Sequence, residues 1–151
     1  MGVAVLLSIG AALAAYFTTT GGGTRRPVAW QDLSAQVLPG EWMKPTISIA
    51  RDQGKLAKVF RLATSGRHPR PPRIDFARRE AVLVAAGPRS STGYSLHVAS
   101  VTERDNSVDV VVREHTPSLH DRVVARLTYP LLLITIPKSQ KHVHVRYAGR
   151  S

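Results

Sequence analysis

From residue 74 onward the chain is written in short apolar segments separated by turn residues. Glu80 to Ala86 is a nearly continuous apolar run of the length of a buried strand. Tyr94 to Thr102 alternates, with Tyr94, Leu96 and Val98 on one face and Ser95, His97 and Ala99 on the other. Ser107 to Glu114 alternates again through Val108, Val110 and Val112, and Asp105-Asn106 marks the turn between these two strands. Arg122 to Thr128 and Leu131 to Pro137 follow as further strands, and in His142 to Tyr147 the residues Val143, Val145 and Tyr147 share a face. Upstream, Thr46 to Ala50 reads as a short strand. Asp52 is a good N-cap for a helix with Leu56, Val59, Phe60 and Ala63 on one side, about three turns long and ending before Ser65-Gly66. Several short strands and one short helix predict a mainly β domain, an antiparallel β-sandwich or curled sheet, with the Ig-like sandwich among its forms.

The N-terminal part is patterned differently. Val3 to Phe17 is apolar on all sides, broken only by Ser8 and Gly10, and is followed by the Thr/Gly stretch Thr18 to Thr24 and by Arg25-Arg26. A full membrane span needs about 20 residues, so this run suits the core of a signal peptide or a short anchor, an N-terminal apolar helix. Ala12-Leu13-Ala14 offers a cleavage pattern, whereas the lack of Lys or Arg before the run and the arginines after it argue against a standard export signal. The expected organisation is residues 1–24 as signal peptide or membrane anchor plus linker, 25–147 as the β domain with a core module at 74–138, and 148–151 as a tail. Pro27 to Pro45 is irregular, with Trp30, Leu33, Val37, Leu38, Trp42 and Met43 expected to pack it onto the domain.

Composition narrows the function. With 151 residues, 43% of them apolar, the chain has the material for one real core. It has no cysteine, which excludes disulfides, thiolate nucleophiles, zinc-finger spacings and a lipid-modified N-terminal cysteine. Its 21 basic residues against 10 acidic ones give a formal charge of +11, which suits an anionic partner, although scattered arginines on a plain solvated surface would give the same balance. The Pro-rich loop His68 to Arg73 and the residue before it concentrate this charge at Arg67, Arg70 and Arg73. For an exported protein, an acidic protein face or anionic lipid is the expected partner, and nucleic acid is not.

The loop Gly87 to Tyr94 is the first candidate contact surface, through Gly87, Arg89, Ser90, Ser91, Thr92, Gly93 and Tyr94. Its glycines allow unusual backbone and its hydroxyls offer adaptable hydrogen bonds, although a plain hairpin turn would use the same residues. Tyr94 itself reads as core more than contact, because it opens an alternating strand. His142 and His144 share a strand face, with His97, His115 or His120 as a third ligand, but no carboxylate or cysteine stands at ligand spacing, so no metal is expected. Ser90, Ser91, His115 and Asp121 lack the surroundings of a nucleophile elbow, and no phosphate-binding glycine loop is present. No catalytic residue, cofactor or small-molecule substrate is expected.

Residues Ile74 to Lys138 resemble the C-terminal domain of the PrcB family, named for a subunit of a bacterial surface protease complex. The resemblance rests on four blocks in order. The first is Asp75-Phe76 with Glu80 and the strand Ala81 to Ala86; the second is Gly87-Pro88-Arg89-Ser90-Ser91-Thr92-Gly93-Tyr94. The third is Glu114-His115-Thr116-Pro117, and the fourth is Thr128-Tyr129-Pro130 followed by Leu131 to Ile136, Pro137 and Lys138. Ser90, Ser91 and Thr92 depart from the family's Pro, Thr and Gly, and Leu131 from its usual aromatic. The resemblance implies a non-catalytic, extracytoplasmic protein of the cell envelope, or a secreted one, that binds and stabilises a protease or protease complex. Membrane association would run through residues 1–20. Thr92-Gly93-Tyr94 also resembles the loop of chagasin-type cysteine-peptidase inhibitors, which are Ig-like sandwiches that wedge loops into a protease cleft; Arg89, Ser90 and Ser91 do not match. An inhibitor acting through 87–94, or a basic protein holding anionic lipid or cell-wall polymer, are the rival expectations.

Overall fold

The computed structural model describes residues 24–63 and 69–150, with the side chains of residues 149 and 150 left aside. The apolar run at 3–17 and Arg67 of the basic loop lie outside the described residues. In chain order the elements are β1 (Arg26–Pro27), β2 (Gln31–Asp32), β3 (Thr46–Ala50), α1 (Gln53–Phe60), β4 (Arg79–Ala85), β5 (Ser95–Glu103), β6 (Ser107–His115), β7 (Leu131–Pro137) and β8 (His142–Arg150). They form two four-stranded sheets, β1-β5-β6-β8 and β2-β7-β4-β3.

The sheets face each other across an aliphatic layer. Val82, Val84, Leu132, Ile134 and Ile136 from the second sheet meet Val101, Val108, Val110 and Val112 from the first. The second sheet is also covered on its outer face. There Ala81, Leu83, Ala85 and Leu133 pack under Leu33, Trp42, Leu56, Val59, Phe60 and Ala63. β4 and β7 are therefore buried on both faces, which is why, past Arg79 and Glu80 and but for Thr135, their sequences are apolar. Among the described residues the outer face of the first sheet has no such cover, so β5, β6 and β8 alternate. A bulge between Val98 and Ser100 shifts the β5–β6 register.

Among the described residues the two-sheet β architecture and the short helix after Asp52 are as the patterning predicts, with four corrections. The sheets are not wholly antiparallel: β8 runs parallel to β6, because the chain crosses to the other sheet as β7 before returning. Arg122 to Thr128 forms no strand; its apolar residues Val124 and Leu127 stay exposed and its backbone bonds to the 87–94 loop. The helix proper stops at Phe60, and Leu62 and Ala63 continue only as turns bonded to Val59 and Phe60. The segment Pro27 to Pro45 is not wholly irregular, since Pro27 ends β1 and Gln31–Asp32 forms β2; in it Leu33 and Trp42 are buried as expected, but Trp30, Leu38 and Met43 are exposed.

Asp52 caps α1 through a 2.7 Å bond from the Lys55 amide to its Oδ1. Asp52→Ala is expected to destabilise the domain by about 1 kcal/mol, read from the urea midpoint at unchanged slope.

Candidate functional site

The 87–94 loop joins β4 to β5, strands of different sheets, so it is a crossover between sheets and not a hairpin turn. Gly87 begins it with φ of 79°, a conformation that side chains disfavour, close against the ring of Pro45. Gly93 ends it for want of space. A Cβ there would lie 2.5 Å from Val123 Cγ1 and 2.6 Å from Pro117 Cβ. Gly93→Ala is expected to destabilise by about 1–3 kcal/mol, and chemical shifts should move at Pro117 and Val123 in the opposite wall.

Between the glycines, Arg89 turns inward. Its Nε and Nη2 donate to the two carboxylate oxygens of Glu114, at 2.5 and 2.7 Å. Its Nη1 donates to the carbonyls of Ala86 and Pro88, at 3.0 and 2.9 Å. The guanidinium also lies 6.0 Å from the centre of the Tyr94 ring. Glu114 is 1% exposed at the inner end of β6 and also accepts a hydrogen bond from the Tyr147 hydroxyl. The bonds to Glu114 raise the Arg89 pKa, outweighing the desolvation that lowers it, so the guanidinium stays charged.

The segment after β6 completes the support. Arg89 and Thr128 exchange backbone bonds of 2.8 and 2.9 Å, and the Thr128 hydroxyl donates to the Ser91 carbonyl at 2.6 Å. Thr92 donates its amide to the Val124 carbonyl and accepts the Val124 amide on its hydroxyl. Ser91 is buried, and its hydroxyl has no hydrogen-bond partner among the described residues. What the loop shows to solvent is Pro88, Ser90 and Thr92; Gly93 and Tyr94 are half-buried.

Of the proposed contact residues, then, Ser90 and Thr92 face outward, while Arg89 and Ser91 hold the loop in shape. Arg70 and Arg73 are exposed on a separate support: Pro69 sits against Gly40, and Gln53 of α1 donates to the Pro72 carbonyl at 3.0 Å. His142 and His144 do share the exposed face of β8, with ring centres 6.5 Å apart. No group of three metal-binding side chains gathers among the described residues. His115 and Asp121 approach only to 4.0 Å.

Sequence reasoning missed a second feature. Pro45, Thr46 and Ile47 of the β3 end, Val84 to Ala86, Arg89 and Tyr147 line an apolar cleft of about 390 Å³. It opens where β3 and β8, the outermost strands on that side, leave the sandwich unclosed. At the far end of β3, Arg51 donates to buried Glu80 at 2.9 Å and to the Lys141 carbonyl at 3.0 Å. The signal that pointed to these acids was the period-two alternation, which places Glu80 with Val82 and Val84, and Glu114 with Val108 to Val112.

The architecture defines a two-sheet β domain with one covered face and a loop braced by its own flanking segments. Comparison adds a likeness: the PrcB C-terminal family model matches residues 81–137, from Ala81 within β4 to the last residue of β7. The match falls within the stretch Ile74 to Lys138 over which the resemblance was drawn. Searches of curated proteins and of solved structures found no match. No helix among the described residues is long and apolar enough to cross a membrane.

Proposed function

We propose that this chain is a non-catalytic, extracytoplasmic protein of the cell envelope that binds and stabilises a partner protein, a protease or protease complex. The family match over residues 81–137 carries the reading. The geometry supports it, because three blocks of the family pattern serve one end. Arg89 of the second block pairs with Glu114 of the third and bridges to Thr128 of the fourth, and together they hold a loop whose exposed atoms belong to Pro88, Ser90 and Thr92. Function commonly sits on loops held by a rigid scaffold in this way. The apolar run at 3–17 supports export or anchoring.

The test is capture of partners by the full chain from native envelope extract, washed at high salt. Retention of one specific protease, whose half-life shortens when this chain is depleted, is the expected result. Complete elution by salt would replace the reading with attraction to polyanions by the +11 charge. A braced loop is also what a protease inhibitor presents. Inhibition of the captured protease, lost on replacing Ser90 and Thr92, would favour that role over stabilisation.

A further inference from the structure

The two sheet edges beside the cleft are protected unequally. β8 points His142, His144 and Arg146 outward, and charged residues on an edge discourage pairing with other chains. β3 ends the second sheet with β4 as its only strand neighbour among the described residues. Its five residues, Thr46 to Ala50, carry no charge, and Ile47 is 50% exposed. An uncharged free edge with a half-exposed isoleucine is a template for an added strand.

The cleft adds selectivity to that edge. Its walls of Pro45, Ile47, Val84, Ala85 and the Tyr147 ring suit an aliphatic side chain arriving beside Thr46 and Ile47. Charge selects further. Exposed Lys44 and half-exposed Arg51 flank the strand. Glu80 and Glu114 are buried against Arg51 and Arg89, so among the described residues the carboxylate exposed beside the strand is Asp52, past its far end, where it accepts the Lys55 amide.

We propose that the free edge of β3 takes an extended acidic segment of the partner protein as an added strand, with one aliphatic side chain of that segment seated in the 390 Å³ cleft. The proposal rests on the protein-binding reading and names where and how the partner is held. Backbone bonds along Thr46 to Ala50 would supply affinity, the cleft and the cationic flanks specificity.

The probe is an acetylated, amidated heptapeptide alternating glutamate and isoleucine, titrated into isotopically labelled full chain and followed by amide NMR. Shifts are expected at Thr46 to Ala50, Ala86, Arg89 and Tyr147. Ile47→Asp, at a half-exposed position, should weaken binding by about tenfold or more, since one such anchor commonly contributes over 1 kcal/mol. The same peptide N-methylated on alternate residues, which cannot form a ladder, should not bind; it tests the point on unaltered protein should the variant fold poorly. A lysine–isoleucine peptide should not bind either. Shifts confined to His97, Arg113 and Arg146 on the outer face of the first sheet, binding unaffected by N-methylation, or no response at millimolar peptide would each overturn the proposal. Capture from envelope extract separates the two failures. If Ile47→Asp retains the same protease, the protein-binding reading stands and the β3 edge is not its seat; if the natural chain retains nothing, that reading falls first.

Discussion

Phe60→Ala is expected to destabilise the domain by about 3–5 kcal/mol, the usual range for emptying a buried aromatic site. Phe60 is 1% exposed at the end of α1 and meets Trp42 edge to face, with ring centres 5.8 Å apart and planes at 84°. Around this pair Leu33, Leu56, Val59 and Ala63 cover Leu83 and Leu133 of the second sheet. With eight residues, α1 has little stability of its own, so its place depends on this packing. The sheet beneath it is equally dependent, because Ala81, Leu83 and Ala85 would face water without the cover. The loss should therefore be global and not confined to the helix. The melting temperature should fall by about 10 °C, at roughly 2–4 °C per kcal/mol for a chain of this size. Hydrogen exchange should quicken in β4 and β7 as much as in α1. Exchange that quickened in α1 alone would show the outer layer to be a separate unit.

That two-sided burial also explains what the sequence made legible. β7 was placed residue for residue, as was β3, and β4 within a residue, because both faces or the flanking turn residues mark them. β5 and β6 were placed through alternation, a pattern that needs one wet face, and the uncovered first sheet has one. Alternation fails where apolar residues serve no sheet. Arg122 to Thr128 has Val123, Val124 and Leu127, yet its backbone partners are Thr92 and, through Thr128, Arg89, and no ladder forms. The parallel direction of β8 was hidden for another reason. Direction depends on which sheet β7 joins, and period-two patterns do not number sheets. In the candidate site, Gly87 and Gly93 were read for backbone freedom; Gly87 has it, while Gly93 matters for the space that Pro117 and Val123 leave. Arg89 belongs to the expected contact loop, whose glycines and hydroxyls suggest a contact surface. Its inward turn follows from a glutamate at an inward position of a strand distant in sequence, and only the fold brings the two together.

Arg89→Ala is expected to destabilise by about 3 kcal/mol, the lower end for breaking a buried ion pair, because the side chain is 21% exposed. Glu114 keeps its bond from the Tyr147 hydroxyl but loses the two-pronged donor that matches its carboxylate. The carbonyls of Ala86 and Pro88 lose their donor too, and they lie where β4 gives way to the loop. Arg89→Lys should recover only part of this, since an ammonium group cannot serve both carboxylate oxygens and two carbonyls in that plane. The double change Arg89→Met with Glu114→Leu should be less damaging than Arg89→Ala alone, because it removes the buried charge together with its partner. The loss should also be nearly independent of salt, as expected for a pair with one member wholly buried. Urea unfolding of the single and double variants at low and high salt measures all of these. A loss below about 1 kcal/mol, or one that salt abolishes, would make the pair an ordinary surface contact. The brace also bears on binding. The Arg89 side chain is one of the braces that hold Ser90 and Thr92 in their exposed positions, beside the bonds to Thr128 and Val124. A partner that uses the loop should therefore respond to Arg89→Ala and to paired Ser90→Ala and Thr92→Ala changes alike. A partner seated on β3 should respond to Ile47→Asp and to Arg89→Ala, which lines the cleft, but not to the Ser90 and Thr92 changes.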